Sequence, residues 1–203
     1  MFRTGAIRAL LSASLIGVLA GCGGGGNDTT AESVAPLSST STTASNEGPT
    51  STEITPDPVS LAAWQEIELT DAGGDVFTFA DLLGRPVFLE NFATWCGNCR
   101  RQLGDTDAAA EQAGDDAVFV ALSVETELGP DDMAEYAQEQ GFDHIRFAVM
   151  SPEMLAAIND AFGNSALNPP STPHVAVEPD GSVGEMVTGF ASPESILASL
   201  GLA

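Results

Sequence analysis

From Val59 to Ala203, short apolar runs alternate with stretches of helical periodicity, and Gly, Pro, Asp or Ser punctuates the joins. Trp64–Thr70 (WQEIELT) has period-two alternation and is separated by DAGGD from Val76–Phe79, a pairing that predicts an N-terminal hairpin. ADLLGRP reads as one helical turn stopped by Gly84 and Pro86. Val87–Phe92 (VFLENF) is an apolar strand with polar residues near its end, and Cys96 to about Ala113 can be helical as far as Gly114. Ala117–Val124 (AVFVALSV) is almost continuously apolar, as a parallel strand buried on both faces should be. PDDMAEYAQEQG has acidic residues in its first turn and a stop at Gly141, so it predicts a helix. A short strand near Ile145–Val149 follows, then a helix with Ser151 as N-cap and Pro152 at its first position. His174–Glu178 and Ser182–Phe190 flank a Pro-Asp-Gly turn and predict a strand pair, and Ser192-Pro193 opens a last helix. Together these elements predict an α/β sandwich with a mixed central sheet.

The first 58 residues break the pattern. Residues 1–21 carry Arg3 and Arg8 and then the apolar run Ala9–Ala20, which is short for a membrane span and predicts a secretory signal peptide. Its end, LAGC at Leu19–Cys22, resembles the lipobox of bacterial lipoproteins. That resemblance implies cleavage before Cys22 and lipidation of its sulfur, which makes Cys22 a membrane anchor and consumes its thiol. Residues 22–58 are rich in Gly, Ser and Thr and nearly lack large apolar side chains, so they cannot bury enough surface to offset the entropy of ordering. They predict a disordered tether with a reach on the order of 30–35 Å. Residues 59–203 are left as one globular domain.

Charge narrows the partners. The 203-residue chain has 29 Asp and Glu against six basic residues, all arginine, for a net charge of −23. Arg3 and Arg8 lie in the leader, so four arginines remain beyond it, too few to neutralise a nucleic-acid backbone. Such an acidic surface either resists aggregation or steers a basic partner.

The chemistry concentrates in FATWCGNCRR, Phe92–Arg101. A C-x-x-C pair can clamp zinc, staple a turn or run a redox couple. Structural zinc wants four ligands, yet only His144 and His174 remain, far apart in sequence. A staple across two residues closes too small a loop to stabilise much. A redox couple needs one cysteine at a helix N-terminus, where unpaired N–H groups favour the thiolate, and the order strand, ATW turn, helix from Cys96 supplies that.

VFLENFATWCGNCRRQL resembles the active-site segment of thioredoxin-like proteins, and more narrowly of the TlpA/ResA group of membrane-anchored thiol-disulfide oxidoreductases. STPHVAVEPDG, Ser171–Gly181, is similar to the group's T-P-x-x-x-x-x-x-D-G segment. The resemblance implies a thioredoxin-like three-layer sandwich with an insertion helix near Met154–Phe162. It implies that Cys96 is the exposed attacking thiolate and Cys99 the buried resolving thiol. It also implies that Pro173 is a cis-proline beside them, that the Thr172 backbone pairs with substrate chain, and that Trp95 shields the site. No cofactor beyond the Cys96–Cys99 disulfide is implied. The implied partners are protein disulfides of the cell envelope, apocytochrome c among them, and a thiol-disulfide electron donor in the membrane, on the extracytoplasmic face.

Several positions depart from the group's pattern. Glu90 stands where thioredoxins have a buried aspartate, so burial near Cys99 should raise its pKa and fit it for proton transfer. Gln102 stands where many of the group have glutamate, and Gly97-Asn98 replaces the usual glycine-proline. Arg100 and Arg101 place half of the post-leader positive charge beside the pair. His174, next to Pro173, leaves a second reading open, a copper-delivering thioredoxin-fold chaperone using Cys96, Cys99 and His174. A P-x-x-x-T-x-x-C peroxidase signature is absent from the chain.

Overall fold

The computed structural model describes residues 60–203. The signal-peptide, lipidation and tether expectations, Cys22 included, lie outside the described residues. Strands β1 (Leu69–Thr70) and β2 (Val76–Phe77) form an antiparallel pair. The main sheet contains β3 (Val87–Phe92), β4 (Val118–Ser123), β5 (Arg146–Val149) and β6 (His174–Val177) in the order β5-β4-β3-β6. β3, β4 and β5 run parallel and β6 antiparallel, so the sheet is mixed, as the pattern predicts. Helices α1 (Gly97–Ala113), α2 (Pro130–Gln140), α3 (Pro152–Phe162) and α4 (Pro193–Ser199) complete a thioredoxin-like α/β fold.

All six residues of β3 are buried, because both faces are covered. Val87 and Leu89 face a core shared with Trp64, Phe79, Met154 of α3 and Val175 of β6. Phe88 and Phe92 face the other way, toward Ala109 and Ile196, and toward Leu103 and Met133, respectively. Helix starts follow their caps. Ser151 Oγ accepts from Met154 N–H at 3.0 Å and Ser192 Oγ from Ser195 N–H at 3.3 Å, each with proline at the first helical position. Gly141 ends α2 in the left-handed region at φ 74°, which favours glycine.

Two expectations are corrected. The hairpin is shorter than WQEIELT suggests, because Ala63–Glu66 is a 3-10 turn rather than strand. Trp64 is buried against Phe79, ring centroids 4.8 Å apart, and Gln65 closes the turn by accepting from Ala62 N–H at 2.7 Å and donating to Gly181 O at 3.0 Å. Core packing and that clamp override the local alternation. The second correction is that Ser182–Phe190 is no regular strand. It meets β6 only at the bridges Val177↔Val183 and His174↔Val187. Between the bridges this segment has one more residue than β6, a bulge that slips the register and breaks the ladder.

Candidate active site

β3 and β4 end level, with Phe92 opposite Ser123, and the site is built on the turns that leave them. Cys96 N–H donates to Ala93 O at 3.1 Å and closes the Ala93–Cys96 turn. Inside that turn, Thr94 N–H donates to Glu125 Oε2 at 2.6 Å, and Thr94 Oγ1 to Glu125 Oε1 at 3.2 Å. Cys96 is then the N-cap of α1, with extended backbone and its Sγ accepting from Cys99 N–H at 3.1 Å. A cap sulfur so placed sits where helix N–H groups stabilise a thiolate.

Cys96 and Cys99 are joined as a disulfide, Cα atoms 5.3 Å apart. The expectation of an exposed Cys96 needs correction for this state. Cys96 is 3 % exposed and Cys99 0 %, because the bond to a buried sulfur draws Cys96 in against Phe92 and Ala93. The small exposed area still belongs to Cys96 alone, so an outside nucleophile meets only that sulfur. Trp95 is 64 % exposed and is no core residue.

The segment Asn168–Pro173 (NPPSTP) forms the opposite wall. Pro169 O lies 3.1 Å from Cys99 Sγ, a contact in which a reduced thiol could donate. Asn98 Nδ2 donates to Pro170 O at 2.9 Å, so this departure from glycine-proline ties the cysteine turn to the wall. Pro173 is joined to β3 through Asn91 N–H, which donates to Pro173 O at 3.0 Å. Thr172 is the only non-glycine residue with positive φ among the described residues, at φ 48° and ψ 60°. The left-handed region is costly for a β-branched residue and doubly so before proline. Three bonds hold it there. Its N–H donates to Pro169 O at 2.8 Å, its Oγ1 to Gly189 O at 2.6 Å, and its carbonyl lies 3.0 Å from His174 Nδ1. With Thr172 N–H and O both engaged, a substrate strand pairing there must displace one of these bonds.

Glu90 is fully buried, and desolvation pushes its carboxyl up to about 8 despite the hydrogen bond that Thr106 Oγ1 donates to Oε2 at 2.8 Å; the nearby Asp105 adds to the rise. Its Oε1 has no partner. The raised value matches the expectation, and the hydrogen-bond partner is Thr106 rather than either cysteine. Thr106 lies seven residues past Cys99 along α1, about 10 Å of helix rise, and no hydrogen bond joins Glu90 to either cysteine. Gln102 is occupied elsewhere, donating to Ala191 O at 3.1 Å and accepting from Ala191 N–H at 2.8 Å.

His174 packs against β3. It is the partner of Glu90 in the β3–β6 register, and its ring packs on Phe88 with centroids 5.2 Å apart. Nδ1 faces the Thr172 carbonyl and therefore carries hydrogen, while burial pushes the imidazole below its ordinary pKa. Among the described residues, no three His, Cys, Asp or Glu side chains are grouped to hold a metal ion. In this state Cys96 and Cys99 are bonded to each other, and His174 is held by the Thr172 carbonyl and Phe88.

Glu125 and the Asn168–Pro170 part of the wall were missed by sequence reasoning, which reached only Ser171, Thr172 and Pro173. Glu125 had a signal, since it follows directly on a parallel strand, and open α/β sheets gather their sites at the carboxyl ends of such strands.

Comparison with known proteins agrees with this architecture. The AhpC/TSA family profile matches residues 62–176, more than half of the chain. Comparison with curated protein sequences gives no match. Among solved structures, the exposed lipoprotein thioredoxin of Streptococcus pneumoniae strain TIGR4 is similar at 23 % identity and a TM-score of 0.55, covering 68 % of this chain and 98 % of its own. A thioredoxin-family thiol:disulfide interchange protein from Chlorobium tepidum is similar at 21 % and 0.57, covering 68 % and 92 %. Copper-bound ScoI from Arabidopsis thaliana is similar at 19 % and 0.53, covering 65 % and 91 %. At such identities the likeness speaks for the fold alone. The matched span takes in β3, both cysteines and Pro173, and the chain belongs to the thioredoxin-like AhpC/TSA family.

Proposed function

We propose that the protein is a thiol-disulfide oxidoreductase of the TlpA/ResA type, lipid-anchored through Cys22 outside the cytoplasm, that reduces disulfides of envelope proteins. The observation that carries this reading is the disulfide at the N-cap of α1 with one sulfur reachable and the other sealed. In the reduced protein the Cys96 thiolate attacks a substrate disulfide, forming a mixed disulfide and expelling one substrate thiolate. Cys99 loses its proton and attacks Cys96 Sγ, which releases the second substrate thiolate and leaves the Cys96–Cys99 disulfide. A thiol-disulfide donor in the membrane then returns two electrons. Apocytochrome c fits the substrate class, an extended chain carrying a disulfide.

Trp95 contacts substrate in this reading, because its exposed ring adjoins Cys96 in sequence. Pro173 and Thr172 shape the wall against which substrate chain lies. Glu90 acts on Cys99 through its charge state and Thr106 rather than by direct proton transfer, given the bond to Thr106 and none to sulfur. The LAGC motif supports the anchor, and the missing peroxidase signature favours exchange over peroxide chemistry.

Three measurements test the reading. Cys99→Ser should accumulate mixed disulfides through Cys96, and Cys96→Ser should not. The reduction potential then sets direction, with a value near about −270 mV expected for a reductant and one near about −120 mV overturning that direction. Labelled fatty acid should enter the wild type and not Cys22→Ser; equal labelling would remove the anchor.

A further inference from the structure

We propose that Glu125 is a positioning residue whose carboxylate clamps Thr94 and so places Trp95 and Cys96. The inference rests on the thiol-disulfide reading and adds a residue to it. Phe92 ends β3 and Ser123 ends β4 as Cα partners, and Val124 N–H donates to Phe92 O at 3.0 Å. Two residues beyond each strand end come Thr94 and Glu125, so the parallel register itself brings them together.

Both carboxylate oxygens are used. Oε2 accepts from Thr94 N–H at 2.6 Å and from Ser123 Oγ at 3.4 Å, and Oε1 accepts from Thr94 Oγ1 at 3.2 Å. Glu125 N–H in turn donates to Ser123 Oγ at 3.2 Å, which fixes the base of the clamp. An N–H bonded to a carboxylate is a strong, charge-assisted bond. Thr94 lies within the turn that Cys96 N–H closes on Ala93 O, so releasing Thr94 frees the segment that carries the nucleophile. Glu125 itself is only half-buried and contributes to no apolar core cluster, so holding this turn is the visible result of its bonds. The other charged or titratable groups facing the turn are Arg100 on α1 and, lining a cleft with Thr94, Asp132, Glu135, Tyr136 and Glu139 of α2; the Tyr136 hydroxyl senses the charges of Arg100 and Glu125.

The test compares Glu125→Ala, Glu125→Gln and, as a control for stability, Asp71→Ala, whose bonds to the Gly73 and Asp75 amides lie in the hairpin and whose bond to Arg146 ties it to β5. Two readouts are taken on the reduced protein, the rate of insulin disulfide reduction and the pH midpoint of Cys96 alkylation by iodoacetamide. Glu125→Ala should slow reduction about tenfold, since a displaced reacting group costs at least that much. Glu125→Gln should stay within about threefold of wild type, because its amide oxygen still accepts from Thr94 N–H. Both should lower the alkylation midpoint by about half a unit, as an anion near the thiolate is gone. Asp71→Ala should move neither readout. Wild-type rate in Glu125→Ala, or an unmoved midpoint with a rate loss no larger than the Asp71→Ala control, overturns the proposal. If the wild type reduces no disulfide, the exchange reading fails, and the alkylation midpoint still decides for or against Glu125.

Discussion

Glu90 and His174 stand opposite one another across the antiparallel β3–β6 pair, an acid and a base both buried and both driven toward their neutral forms. Neither charges the other, because Glu90 bonds Thr106 and His174 bonds the Thr172 carbonyl. The sheet thus carries two titratable groups beneath the site without an ion pair.

Glu90 makes stability fall with rising pH. Its folded pKa of about 8 lies above the ordinary value of 4.5, so the folded state holds a proton that the unfolded state releases between them. The favourable term is full below about 4.5 and lost as pH rises through about 8, at up to about 1.4 kcal/mol per unit. Glu90→Gln should flatten that limb in urea unfolding at pH 5, 6.5 and 8. Parallel curves for the two proteins would show that Glu90 ionises freely in the fold.

Asp71 acts in the opposite sense. Burial raises its carboxyl, but the hydrogen bonds from Arg146, Asp75 and Gly73 together with the Arg146 charge outweigh burial and hold it below its ordinary value. Its stabilisation is present above the unfolded pKa and lost as pH falls through the folded one. Asp71→Asn should be less stable at neutral pH and lose less on acidification below about pH 4. Guanidine titrations at two pH values measure both.

Thr172 separates strain from bonding. Thr172→Ala keeps the left-handed strain and loses the 2.6 Å bond to Gly189 O, so it should cost about 1–2 kcal/mol. Thr172→Gly loses the same bond but relieves about 1–2 kcal/mol of strain. Glycine should therefore be the milder change by chemical denaturation, and the reverse ranking would mean the strain is not there to relieve.

Copper(I) titration probes His174 directly. Because its Nδ1 is bound to the Thr172 carbonyl and its ring to Phe88, His174→Ala should change copper affinity of the reduced protein less than about threefold. A loss of tenfold or more would restore the Cys96, Cys99 and His174 ligand set.

Acid-base balance, the paired cysteines and the alternating periods were legible without coordinates, because each is a local property of the chain. The apolar run Ala117–Val124 reads as a strand buried on both faces, and Ser-Pro before α3 and α4 as helix starts, and both are found. Cys96 at a helix start followed from strand, turn and helix in that order. What the sequence by itself could not determine were the long-range meetings. Glu90 was recognised as a buried acid, but only the packing of α1 on β3 decided that it meets Thr106 and not Cys99. His174 was adjacent to Pro173 in sequence, yet strand alternation turned it onto Phe88. Glu125 met Thr94 because two parallel strands end in register, and Asn98 met Pro170 across 72 residues of chain. Such contacts are set by how buried faces must pack, and no local pattern encodes them.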